Sequence, residues 1–176
     1  MYKPLLLALM LLSATSAAHA QGNTSKPSIK VLDEKNGFRT LHFGDDISQM
    51  PTAKLVEARG DSKYYERTDE NLKIGEADLK SINYGFYKDK LYFIIIKTES
   101  LSNSRALKAA LEAQYGRGYR SNQYIEEYFW LGKVMTMSYS ENSLDGSAKV
   151  TMSSEAITAQ KAKDKEASAK KAGSDL

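Results

Sequence analysis

The stretch INYGFYKDKLYFIIIKTE, Ile82 to Glu99, is the most apolar and aromatic part of the chain outside its first twenty residues, and its reading decides the fold. Three readings compete: a membrane segment, a ligand-binding box and a protein core. A two-residue loop at Lys88-Asp89 would set Phe86 opposite Leu91, Tyr84 opposite Phe93 and Ile82 opposite Ile95, so that one side of a hairpin is wholly apolar or aromatic. On the other side Gly85 would face Tyr92 and Asn83 would face Ile94, leaving Ile94 and Ile96 in need of cover. The run from Leu91 to Ile96 is far shorter than the ~20 residues a membrane helix needs, and β-branched and aromatic residues dominate it. It reads as a central strand buried on both faces. Tyr87 and Tyr92 could ring a groove, but aromatic pairs across a hairpin are usually packing, so core is the reading.

The flanks supply the partners of that hairpin. Upstream, GFRTLHFG from Gly37 has the two-residue period of a strand. Asp46 followed by Gln49 resembles a capping box and predicts a short helix near Ile47 that stops at Pro51. KLVEARGDSKYYER, Lys54 to Arg67, reads as two strands joined at Gly60-Asp61. Arg59-Gly60-Asp61 also spells a cell-adhesion tripeptide, which the turn chemistry of glycine and aspartate outweighs. Downstream, Leu107, Ala110, Leu111 and Tyr115 fall on one helical face, predicting a main helix from about Ser104 to Tyr115 with Gly116 at its end. YIEEYFW, VMTMSYS and AKVTMSS then read as a meander of three strands.

The expected fold is therefore α+β: a single domain over residues 37–154, with a twisted, mostly antiparallel sheet of six to eight strands and the main helix packed on one face. The ends read differently. MYKPLLLALMLLSATSAAHA, residues 1–20, has one early charge, a short apolar run and a small-x-small end, and predicts a signal peptide cleaved after Ala20. Residues 21–36 are polar and read as a mobile leader. Residues 155–176 are Ala, Lys and acidic groups with almost nothing to bury, and read as a disordered tail.

Composition excludes more chemistry than it suggests. The chain of 176 residues has a formal charge of +3, too little to argue for nucleic acid. It has no cysteine, and His42 is the one histidine beyond the predicted signal peptide, so zinc, haem and thiol chemistry lose their usual ligands. No nucleophile elbow, phosphate loop or calcium loop occurs, and the lone S-x-x-K match, Ser168 to Lys171, lies in the tail. Glu126 and Glu127 are adjacent, so only one of them could line a cleft as an acid or base. No catalytic residue, metal or cofactor is expected. What remains is surface: Tyr64, Tyr65, Tyr124, Tyr128, Trp130 and Tyr139 mix with arginine and glutamate as protein interfaces do. The same tyrosines would equally serve to cover the sheet, and both readings stand.

At FRTLHFG, YYER, NLKIG and INYGFYKDKLY, followed by a helix ending in QYG and a late YFW, the chain resembles a group of small exported proteins of proteobacteria with no assigned activity. The likeness covers roughly residues 37–153. It implies one folded domain and a bacterial source, and carries over no catalytic residue. The expectation is an exported, most simply periplasmic, non-catalytic protein that binds another envelope or secreted protein through a tyrosine-rich sheet face or edge. A small-ligand or glycan-binding module is the alternative, and a small acid/base hydrolase the third.

Overall fold

The structure, a computed structural model, describes residues 29–174. In chain order its elements are α1 (Ile29–Lys35), β1 (Gly37–Phe38), β2 (Leu41–His42), β3 (Ala53–Arg59), β4 (Ser62–Arg67), β5 (Lys73–Ile74), β6 (Ala77–Asp78), β7 (Ser81–Tyr87), β8 (Lys90–Lys97), α2 (Leu101–Tyr115), β9 (Glu127–Leu131), β10 (Met135–Glu141), β11 (Ala148–Ser154) and α3 (Glu155–Gly173). Seven strands form one open antiparallel sheet in the order β3-β4-β7-β8-β11-β10-β9, and β1-β2 and β5-β6 are separate ribbons. The α+β class and the single domain are as the sequence implies. The expected signal peptide lies outside the described residues.

The hairpin of β7 and β8 is the centre of this sheet. Lys88 and Asp89 both have positive φ, 50° and 60°, as a two-residue turn of the primed type requires. Phe86 faces Leu91 as expected, but Gly85 faces Phe93, Tyr84 faces Ile94 and Ile82 faces Ile96. Tyr92 is one extra residue between the two registers, a β-bulge that turns Phe93 and Ile95 onto the opposite face from the one expected. Only one face of β8 is therefore fully buried.

That face carries the core. Tyr65, Tyr84, Ile94, Met152, Met137 and Trp130 are successive cross-strand neighbours over six strands. Ile82, Ile96, Val150, Tyr139 and Tyr128 form the row beside it. Leu107 and Leu111 of α2 pack into these rows. Ser100 caps α2, its hydroxyl accepting from Asn103 N, and Gly116 with φ 79° ends it. Its length from Leu101 exceeds the expected span by one turn. The short helix near Ile47 is a 3-10 turn, Ile47–Gln49, capped by the Asp46 carboxylate as its sequence suggests.

Within the described residues the expected mobile leader and disordered tail are corrected; residues 21–28 of the leader and the last two of the tail lie outside them. The leader contains α1, whose Leu32 is fully buried in the core. Its Asp33 carboxylate accepts the backbone N–H groups of Lys133 and Val134, both at 2.9 Å, and of Met135 at 3.3 Å, closing the β9-β10 turn. The tail from Glu155 forms α3 and lies on the second face of the sheet. Helix formation there needs no buried stripe: alanines, the Ser154 cap, Glu155 in the first turn and Lys170 and Lys171 in the last suffice locally.

Candidate binding surface

The second face of the sheet is built from the alternate residues of the same strands. One row runs Tyr64, Gly85, Phe93, Ser153, Thr136, Leu131, and the next runs Asn83, Ile95, Thr151, Ser138, Phe129. Phe93, Ile95 and Phe129 are half-buried and Leu131 is exposed. A shallow groove of about 190 Å³ is lined by Phe129, Leu131, Thr136, Ser138, Thr151 and Ser153. The strands turn apolar groups to this side without a layer to cover them, except at one end, where α3 crosses Tyr87 and Tyr92.

At the other end of the face the third row runs Ser81, Lys97, Lys149, Ser140, Glu127. Lys97 and Lys149 are direct cross-strand neighbours and both exposed, an arrangement that costs free energy without an anion between them. Lys80 beside them is paired with Glu99 at 2.5 Å, whereas neither Lys97 nor Lys149 has a carboxylate within ion-pair distance among the described residues. A polar depression of about 710 Å³ opens there, between Lys80, Lys97, Lys149, Asn142 and Ser140.

The six residues singled out from sequence do not form one surface. Tyr128, Trp130 and Tyr139 are core, 3%, 1% and 0% exposed, because they stand on the α2 side of their strands. The Trp130 indole N–H donates to the Gly116 carbonyl at 2.8 Å, and the Tyr139 hydroxyl donates to Ser104 O at 3.2 Å and to Glu141 at 2.7 Å. Tyr65 also faces the core, its ring meeting Phe86 edge-on at 5.5 Å. Tyr124 is 86% exposed in the loop before β9. Tyr64 alone belongs to the open face. Sequence reasoning missed Phe93, Ile95, Phe129 and the lysine pair: the alternation of β10, carried across its pairing, could have placed Phe129, whereas the bulge at Tyr92 hides the face of Phe93 and Ile95.

The carboxylate considered for acid/base work is tied down. Glu126 accepts from Arg120 at 2.7 Å, the Tyr128 hydroxyl at 3.0 Å, Arg105 at 3.2 Å and Lys108 at 3.3 Å. Partial burial pushes its pKa up, but Tyr128, Lys108 and Arg105 outweigh burial and hold it below the usual range. Arg105 also donates to Glu141 at 2.9 Å, so one guanidinium joins α2 to the ends of β9 and β10. A carboxylate ionised and surrounded by donors is a strut rather than a proton donor. Comparison with protein-family models, with curated proteins and with solved structures gives no match to this chain.

Proposed function

We infer that this is an exported, non-catalytic protein that binds another protein of the cell envelope across the open face of its sheet. One observation carries the reading: a single sheet has one face sealed by α2 and α1 and the other left with Phe93, Ile95, Phe129 and Leu131 in reach of solvent among hydroxyl groups. Apolar groups rimmed by polar ones are the composition of a protein interface. The opposed Lys97 and Lys149 at its rim favour a partner that brings acidic groups to that end. The apolar part of the face holds only a groove of about 190 Å³, under the few hundred Å³ of a small-ligand pocket, and the larger depression beside it is lined by lysines and other polar groups, which favours a protein surface over an apolar metabolite.

The test is affinity capture from an envelope extract with the purified protein. The wild-type chain and a Leu55→Ala variant, altered on the outer strand, should recover the same partner. Ile95→Glu, Phe129→Glu and the Lys97→Glu/Lys149→Glu pair should each lose it while keeping the thermal midpoint within a few degrees. Retention by all three face variants would defeat the reading.

A further inference from the structure

α3 lies on the open face without burying one residue. Only Ile157, Lys161 and Asp164 are half-buried, spaced four and three apart on one stripe, and residues 165–174 are all exposed. The Ser154 cap, Glu155, Lys170, Lys171 and a Glu166 to Lys170 ion pair at 2.7 Å favour the helix locally, but with no buried stripe it opens far more often once undocked. Beyond the Thr136 hydroxyl, which donates to Glu155 at 3.1 Å, and the half-buried Ile157, its docking rests on two polar grips. The Lys161 ammonium donates to the Tyr92 hydroxyl at 2.6 Å and lies 4.7 Å from the Tyr92 ring centroid and 5.8 Å from that of Tyr87. The Tyr64 hydroxyl, 3.3 Å from that of Tyr92, closes the same pocket. One turn further on, Asp164 accepts from the Tyr87 hydroxyl at 2.7 Å and from Lys88 at 2.6 Å.

Seen from the sheet, the Tyr87 and Tyr92 rings and the Tyr92 hydroxyl take a cation, and the Tyr87 hydroxyl with the Lys88 ammonium takes an anion, about one helical turn away. Such a surface reads a lysine and a carboxylate three residues apart on a helix. Beside it a groove of about 550 Å³ opens between the free half of α3 and the β3-β4 end, lined by Arg59, Asp61, Ser62 and Lys88 among others.

We propose that Tyr64, Tyr87, Lys88 and Tyr92 form a docking site for a helix of the partner protein carrying a Lys-x-x-Asp or Lys-x-x-Glu pair, and that α3 occupies it in the partner's absence. The proposal rests on the protein-binding reading of this face and names the chemistry of its partner. Occupation in cis lowers the partner's apparent affinity by the fraction of molecules with α3 docked, so the helix sets a threshold for binding.

The full-length variant Lys161→Glu/Asp164→Lys puts a carboxylate against the tyrosine rings and an ammonium against Lys88, and should release α3. Hydrogen exchange over residues 157–164 should then accelerate at least tenfold while the strands stay protected. A fluorescent peptide of native sequence, residues 154–173, should bind this variant at least tenfold more tightly than it binds the wild-type chain, whose site is filled. A peptide with Lys161 and Asp164 interchanged should not bind. Adding Tyr92→Phe, which keeps the ring and removes the hydroxyl, should weaken the native peptide at least fivefold. Equal binding to wild type and variant, no binding to either, or unchanged protection of α3 would overturn the proposal. A partner captured through Phe129 and Ile95 by a protein whose opened variant ignores the peptide would also overturn it, while leaving the function of the open face intact.

Discussion

Ile94 and Ile95 are chain neighbours of nearly identical chemistry with opposite environments. Ile94 is fully buried between Tyr84 and Met152, and Ile95 is half-buried between Asn83 and Thr151. Ile94→Ala should cost about 2–5 kcal/mol in a urea melt, and Ile95→Ala less than half as much, because a partly solvated site loses less transfer free energy and leaves no closed cavity. The order would reverse if the hairpin ran without its bulge. The two-residue turn and the Phe86 to Leu91 pair were legible, since alternation and turn length determine them. The bulge was not, because Leu91, Tyr92 and Phe93 are all apolar and offer no change of polarity to mark an extra residue. Its physical setting is Gly85, above which the Tyr64 ring and Phe93 crowd so closely that a Cβ would lie 3.2 Å from Tyr64 Cε1 and 3.1 Å from Phe93 Cβ. An absent side chain leaves the room that the second face's aromatics fill.

Elements held by one or two contacts are the ones that periodicity misses. α1 contributes a single buried leucine and one capping carboxylate, so no stripe announces it. The N–H of Lys133, with those of Val134 and Met135, holds the Asp33 pKa below its ordinary value. A lowered carboxylate stabilises above its ordinary range and loses that contribution as pH falls. Asp33→Ala should therefore cost about 1–2 kcal/mol at neutral pH, as for a lost cap, with a smaller difference between variant and wild type in acid. Gly132 belongs to the same lock, since a Cβ there would collide with the Asp33 carboxylate. α3 was legible as a helix former and illegible as an element, because burial was the criterion and propensity the cause. Its grip is testable by acid. Lys88, then Tyr87 and Gln160, bring the Asp164 carboxylate down to about 2, and Lys161 and Lys165 of the same helix with Arg59 and Asp61 at the β3-β4 turn are the other charges around this end. The sign is that of any depressed carboxylate: the contact is complete above its ordinary value near 4 and lost as pH falls through about 2. Amide shifts of Lys88 and of residues 160–165 should move together with a midpoint near 2, and Asp164→Asn should abolish that step.

At the scale of the molecule, the sheet has two faces of different fate, and strand parity decides which residues serve which. In β9, Tyr128 and Trp130 alternate with Phe129 and Leu131, so neither side is polar and the strand cannot say which faces inward. β10 can: Met135, Met137 and Tyr139 alternate with Thr136, Ser138 and Ser140, and its pairing carries the assignment to β9. The tyrosines of the core face have their own consequence. Burial, then the Glu70 carboxylate, pushes the Tyr84 phenol far above its ordinary value, and burial, then Glu141, does the same to Tyr139. A phenol raised in the fold contributes stability in full below its ordinary value near 10, and that contribution is lost as pH rises above it. Stability should thus hold from about pH 7 to 9 and fall beyond 10, with the last tyrosines ionising only as the sheet unfolds. Phenolate absorbance and far-UV circular dichroism, followed together through an alkaline titration, should show that final step as one cooperative transition. The Tyr84→Phe/Tyr139→Phe variant starts less stable, having lost hydroxyl bonds to Glu70, Glu141 and Ser104, but should decline less steeply above pH 10. Equal slopes in the two proteins would mean that these phenols ionise within the intact fold, and that the aromatic core admits water where the packing of α2 on the sheet says it does not.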